Sequence, residues 1–195
     1  MQFPEITTSE VFAKIPYESV EKVSEKAWNK ALLSLGNCQI ESQKKLGSGR
    51  FDALVRYYDE RGDNYVWILV EYKKDGKANS DIKAVCQLLM YLGNFFYDVS
   101  LEGTDNFAGI IVASSDYFYF IPRKNILGIM EKFEYIWRKY FRVRPCDAHK
   151  EYEIYDFVRE SWSDIIRDSV RVQRYDKNVR LDEIIKSIYE AWNLQ

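Results

Sequence analysis

The sequence predicts an α/β protein, a mixed sheet flanked by helices with a helical extension at its C-terminal end. Two apolar runs, Tyr65 to Tyr72 and Phe107 to Ala113, lack Pro, are rich in β-branched and aromatic residues and are too short for buried helices, so both read as central strands. Stretches of helical period lie before, between and after them, an order that packs helices against a sheet. At 195 residues, with 47% hydrophobic and 16% aromatic content, the chain is long enough to bury a sizeable core.

The elements follow in order. Residues 1 to 16 read as an irregular arm broken by Pro4 and Pro16, in which Thr8-Ser9-Glu10 can cap a short helix. From Tyr17 to Leu35, apolar residues at Val20, Val23, Ala27, Ala31 and Leu35 mark a helix that Gly36-Asn37 ends. Cys38 to Leu46 reads as the first strand, and Gly47-Ser48-Gly49 as a turn. No Gly-Lys-Ser/Thr follows these glycines, which excludes a nucleotide-binding P-loop. Phe51 to Tyr58 alternates as a strand, and Asp59 to Asn64 turns the chain into the strand ending Glu71-Tyr72-Lys73. After a loop from Lys74 to Asn79, a helix runs from Ser80 to about Phe96 with Ile82, Val85, Leu88, Leu89 and Leu92 facing the core. Tyr117 to Ile121 is the hairpin partner of the Phe107 strand. Three helices, Asn125 to Phe141, Tyr152 to about Val172 and Leu181 to Trp192, complete the chain. The reading divides it into an arm (1–16), an α/β core (17–122) and a helical extension packed on the core (123–195).

The chemistry gathers between Arg50 and Tyr91. Alternation along a strand projects Glu71 and Lys73 to one face, about 7 Å apart, and Val70 and Tyr72 to the other. Charges at the end of a buried strand cost several kcal/mol unless something compensates them, and a bound cation is the usual remedy. Pairing of the two strands brings Asp52 beside Glu71. Two converging carboxylates bind a hard cation, Mg²⁺ or Mn²⁺, and leave positions for water and a phosphate. Such an ion activates the water and neutralises charge on the transition state, Lys73 adds a second positive charge, and the Tyr72 carbonyl is a further candidate ligand. On the following helix Gln87 and Tyr91 lie four apart on one face. Gln87 contacts the substrate backbone or a metal-bound water and Tyr91 braces Lys73 or a phosphate, or else both are ordinary helix-edge residues.

Asp52, eighteen intervening residues, Glu71-Tyr72-Lys73 on a hydrophobic strand and then Gln87-x-x-x-Tyr91 on a helix resembles the PD-(D/E)xK nuclease superfamily. The helix signature is similar to that of its RecB-type exonuclease branch and of type I restriction nuclease domains. The resemblance covers about Val20 to Pro122 and departs from the pattern at Phe51, where the family often has proline. It implies the restriction endonuclease-like fold, magnesium- or manganese-dependent DNA cleavage, and settings such as phage defence, restriction or recombination. In the family a helix before the sheet often adds a glutamate to the metal shell, a position that Glu21 or Glu25 matches. The alternative is a catalytically silent module of this fold that binds nucleic acid or a protein partner.

The net charge of −2 does not advertise nucleic-acid binding, but Pro122 to Lys150 holds eight basic residues against three acids, interleaved with Tyr135, Trp137, Tyr140 and Phe141. Arg138, Lys139 and Arg142 are the candidates for tracking a DNA backbone, in preference to RNA, if that face is not simply a solvated helix. Three widely spaced cysteines, Cys38, Cys86 and Cys146, argue against a disulfide framework and for a reducing cytoplasm. The single histidine, His149, excludes multi-histidine zinc centres and two-histidine phosphodiesterases. No run reaches membrane length and the start lacks a signal-peptide pattern, so the expectation is a cytoplasmic protein that takes target recognition from a partner domain or protein.

Overall fold

The computed structural model describes residues 4–43, 45–46, 49–74, 80–97, 104–140 and 152–193. It is an α/β protein whose main sheet has six strands in the order β1-β4-β5-β6-β7-β8. These are β1 (Cys38–Ser42), β4 (Ala53–Tyr58), β5 (Tyr65–Tyr72), β6 (Phe107–Ala113), β7 (Tyr117–Pro122) and β8 (Val170–Gln173). A separate two-stranded ribbon pairs β2 (Lys45–Leu46) with β3 (Gly49–Arg50). Within the main sheet β5 and β6 pair in parallel and every other neighbouring pair is antiparallel, so the sheet is mixed.

The parallel pair sits at the centre because β5 and β6 are apolar on both faces, and both faces are covered. On one face β5 contributes Trp67 and Leu69 to a core with α3 (Ser80–Tyr97), α4 (Arg123–Tyr140), α5 (Tyr152–Glu160) and α6 (Trp162–Ile165). On the other, Val66, Ile68, Val70 and Tyr72 pack with α1 (Thr8–Phe12), α2 (Glu21–Leu33) and α7 (Leu181–Asn193). The helix α3 is buried almost all round because it lies between the sheet and the helices α4 and α5, so its Ala84, Cys86 and Met90 are as deep as the expected Val85, Leu88, Leu89 and Leu92.

Four elements differ from the sequence reading. The strand expected from Cys38 to Leu46 ends at Ser42, and Lys45–Leu46 pairs in the separate ribbon instead. The N-terminal residues form α1, closed by a reciprocal capping box in which Thr7 and Glu10 satisfy each other's amides, and its Val11 and Phe12, with Ile15 beyond, are core residues. Arg174 ties this segment down by donating to the carbonyls of Phe12, Ile15 and Ser115. The helix α2 turns a partly different face inward: Val20 and Val23 are exposed, while Ser24, Trp28 and Leu32 join the expected Ala31 and Leu35 in the core. Trp28 decides this rotation. Its ring stacks on Phe118 and meets Phe12 edge-on, and its indole N–H donates to the Ser114 carbonyl at 2.9 Å, more burial than two valines offer. Finally, the long helix expected from Tyr152 to Val172 breaks after Ile165, and Val170–Gln173 adds β8 to the edge of β7. Its apolar residues alternate, Val170 and Val172 facing the α2 side, which is strand rather than helix periodicity.

Candidate active site

The site is built from strand register. The hairpin pairs Ala53 with Val70, so one further step sets Asp52 opposite Glu71. On its other side β1 pairs Ser42 with Ala53, which sets Gln43 opposite Asp52. Asp52 is therefore held between two strands. The Tyr72 amide donates to its Oδ2 at 2.7 Å and Gln43 Nε2 to its Oδ1 at 3.1 Å, while the Gln43 amide donates to the Asp52 carbonyl at 2.9 Å.

Glu71 projects to the α3 face and is 4% exposed. Its Oε1 accepts from Lys73 Nζ at 2.5 Å, and the same ammonium donates to Gln87 Oε1 at 2.5 Å. Glu71 Oε2 is buried and has no hydrogen-bond partner among the described residues. Gln87, 14 residues beyond Lys73, thus closes a clasp between the sheet and α3. The Tyr91 hydroxyl, one turn further along α3, donates to the carbonyl of Arg50, and its ring meets Phe51 edge-on. That contact fixes the two residues leading into Asp52. It gives Tyr91 a place beside the Asp52 strand, where the sequence reading offered Lys73 or a phosphate.

Alternation sends Tyr72 the other way. Its side chain crosses to α2, where the hydroxyl donates to Asn29 Oδ1 at 2.6 Å, so only its backbone faces the carboxylates. The same helix carries Glu21 and Glu25 in its first two turns. Burial raises the pKa of each, and the negative charge of Asp52 raises both further. They lie in the field of the site, yet among the described residues no three His, Cys, Asp or Glu side chains come together as a metal-holding group.

The electrostatics follow from burial. Asp52 is raised by desolvation, against the Tyr72 amide and the Lys73 charge, which favour its ionised form. Glu71 is pushed up to about 8 by desolvation. Lys73 opposes that push, and the charges of Asp52 and Glu21 reinforce it. Lys73 therefore offsets only part of the desolvation of two acids that face each other. Tyr72 is raised well above its ordinary value by burial and by Asp52 and Glu25.

The donor set suits a hard cation in one respect and leaves room in another. Two carboxylates, one with an unanswered buried oxygen, and the Tyr72 backbone supply oxygen ligands, and Mg²⁺ characteristically keeps several waters in addition. The sequence singled out Asp52, Glu71, Lys73, Gln87 and Tyr91, which the fold gathers, and missed Gln43 and Asn29. Gln43 was findable from the β1–β4 register alone; Asn29 carries no signal without knowledge of which face of α2 is buried.

The basic candidates lie elsewhere. Arg138 pairs with Glu134 one turn before it at 2.6 Å, and Lys139 pairs with Glu153 of α5. Arg142, with Cys146 and His149, lies outside the described residues. Among the described residues no helix is long and apolar enough to cross a membrane. No family model, curated protein or solved structure matches the chain.

Proposed function

We propose that this protein is a metal-dependent nuclease of restriction endonuclease-like fold that hydrolyses DNA phosphodiester bonds at the Asp52, Glu71 and Lys73 centre. The observation that carries the reading is Glu71 Oε2, a buried carboxylate oxygen with no donor among the described residues, opposite a second carboxylate and beside an ammonium. The described residues give that oxygen no donor, and a ligand cation is a group that would replace the proton that burial keeps on Glu71.

Asp52 and Glu71, with the Tyr72 carbonyl, would hold Mg²⁺ or Mn²⁺, which supplies Lewis acidity toward a phosphate oxygen and lowers the pKa of water. The protein groups have separate tasks. Gln43 and the Tyr72 amide fix the direction of the Asp52 carboxylate. Gln87 holds the Lys73 ammonium at the mouth of the pair, where its proton and charge meet the anionic phosphate. Tyr91 anchors the Arg50 carbonyl and so the entry of the Asp52 strand. Glu21 and Glu25 add negative field that strengthens cation binding. Arg138 and Lys139 remain candidates for DNA backbone contact, because exposed pairs such as theirs exchange partners at small energetic cost. Target choice would come from a partner domain or protein, in a reducing cytoplasm, in phage defence, restriction or recombination.

A second reading has its own observation. Lys73 is already satisfied by Glu71 and Gln87, an internal clasp that suits a silent module of the same fold that binds nucleic acid or protein. Incubation of single- and double-stranded DNA and of RNA with Mg²⁺, Mn²⁺ or EDTA separates the two. The nuclease reading expects dication-dependent cleavage lost in Glu71→Ala and Lys73→Ala variants that still fold. Inert wild type that binds no Mn²⁺ by calorimetry, with Asp52→Ala as control, selects the silent module.

A further inference from the structure

The acid centre lies at the C-terminal end of β5 on the α3 face. At the other end of the same strand and on the opposite face is a cavity of about 280 Å³, roofed by the last turns of α7. From Val66 to Glu71 the strand advances about 16 Å, so the two regions are separate. The cavity wall is mostly apolar: Val66, Ala108, Phe120, Ile188 and Trp192 line it, with Phe107, whose ring packs on Trp67 and Phe96 across the sheet, at its edge. Two cations, Arg123 and Lys124, stand at its edge on the first turn of α4. They are not equivalent. Lys124 is neutralised by Asp168 at 2.9 Å. Arg123 donates to the backbone carbonyl of Asp105 at 2.8 Å, and among the described residues no carboxylate pairs with it. That contact also holds it beside the start of β6, where Phe107 meets the cavity edge.

An apolar chamber with a guanidinium at the rim that no described carboxylate pairs selects a ligand with the complementary halves. We propose that this cavity binds a small amphipathic anion, a carboxylate on a short aliphatic or aromatic body, with the body among the aromatic rings and the anion on Arg123. The volume suits about ten non-hydrogen atoms, at the small end of ligand pockets. The guanidinium offers planar donors to a carboxylate, which gives the site orientation as well as charge preference. The site is independent of the acid centre and of any activity there.

Octanoate and octan-1-ol are the probes, read by quenching of Trp192 emission and by calorimetry on the full chain. Octanoate is expected to saturate in about the 0.1–1 mM range and octan-1-ol to bind about tenfold more weakly. Arg123→Gln removes the charge and keeps a donor; it should weaken octanoate about tenfold and leave octan-1-ol unchanged. Ala191→Phe, at an exposed position of α7 that borders the cavity, fills it and should abolish both. Trp192→Phe should remove the optical signal and keep the calorimetric one. Equal binding of acid and alcohol, indifference of octanoate to Arg123→Gln, or no saturable binding to the folded wild type overturns the proposal. So does wild-type dimerisation in sedimentation that Ala191→Phe abolishes, since the occupant is then a second copy of the chain.

Discussion

The Glu71 carboxyl makes a prediction that does not depend on finding a substrate. In the unfolded chain it ionises near 4.5, and in the fold burial holds it protonated up to about 8. Between those values the folded state binds more protons than the unfolded state, so unfolding free energy falls as pH rises. The slope is about 1.4 kcal/mol per pH unit, and the whole interval amounts to at most about 5 kcal/mol, a large fraction of the stability of a domain. The loss is complete above the folded value and absent below the unfolded one. Glu71→Gln keeps the volume and cannot ionise. Urea unfolding followed by tryptophan fluorescence at pH 5, 6, 7 and 8 should therefore show the variant gaining on wild type by several kcal/mol across the series. A saturating dication that binds the ionised carboxylate should restore wild-type stability at pH 8 and leave Glu71→Gln unmoved. Parallel pH profiles for the two proteins would refute the assignment of the burden to Glu71.

Other substitutions test the frame around the site. Any Cβ at Gly93 would overlap the Trp137 ring where α3 crosses α4, so Gly93→Ala should destabilise by about 1–3 kcal/mol in thermal or chemical melts despite its gain in helix propensity. Trp28→Phe leaves the Ser114 carbonyl without its indole donor and should cost about 1–3 kcal/mol, visible as a lower urea midpoint at unchanged slope. Tyr91→Phe releases the Arg50 carbonyl; Mn²⁺ affinity by calorimetry should fall severalfold while the wild-type fall in stability from pH 5 to 8 persists, because Glu71 is untouched. Gln87→Leu removes one of the two acceptors of Lys73 and should reduce any cleavage rate more than the apparent substrate affinity.

The parts of this site that were legible in the sequence are those fixed by local alternation and one hairpin. The β-branched run of β5 and the six-residue turn before it determine which residues share a face, and that alone sets Asp52 against Glu71. Gln87 was legible through its spacing four before Tyr91 and the resemblance that spacing carries; the core stripe read from the sequence did not include it. What escaped depends on contacts distant in sequence. Which face of α2 is buried is decided by Trp28 meeting Ser114, 86 residues away, and not by the valines whose spacing was regular. The strand β8 exists because β7 offers an edge to pair with; four alternating residues after a helix carry too little periodicity to announce it.

A second carboxylate with little exposure among the described residues offers a contrast. Asp182, at the start of α7, is nearly as little exposed as Glu71 but less deeply enclosed, and Arg180 grips it, with Nη2 at 2.6 Å and Nε at 3.4 Å. That hydrogen bond outweighs desolvation and lowers the Asp182 pKa, so its ionised form stabilises the fold as pH rises. Glu71 has a cation at similar distance and shifts in the opposite direction. The difference begins with desolvation, which is the largest effect on Glu71 and a lesser one on Asp182; the charges of Asp52 across the hairpin and Glu21 at the head of α2 add to it. A protein selected only for stability would resolve that centre as it resolves Asp182, with a second donor or an apolar residue of similar size. It is held in place instead by elements from three parts of the chain, at the C-terminal end of the strand where antiparallel pairing gives way to parallel pairing. Ligands of α/β sheets characteristically bind beyond the carboxyl ends of strands, and the cation proposed for this centre would sit there against Glu71 Oε2.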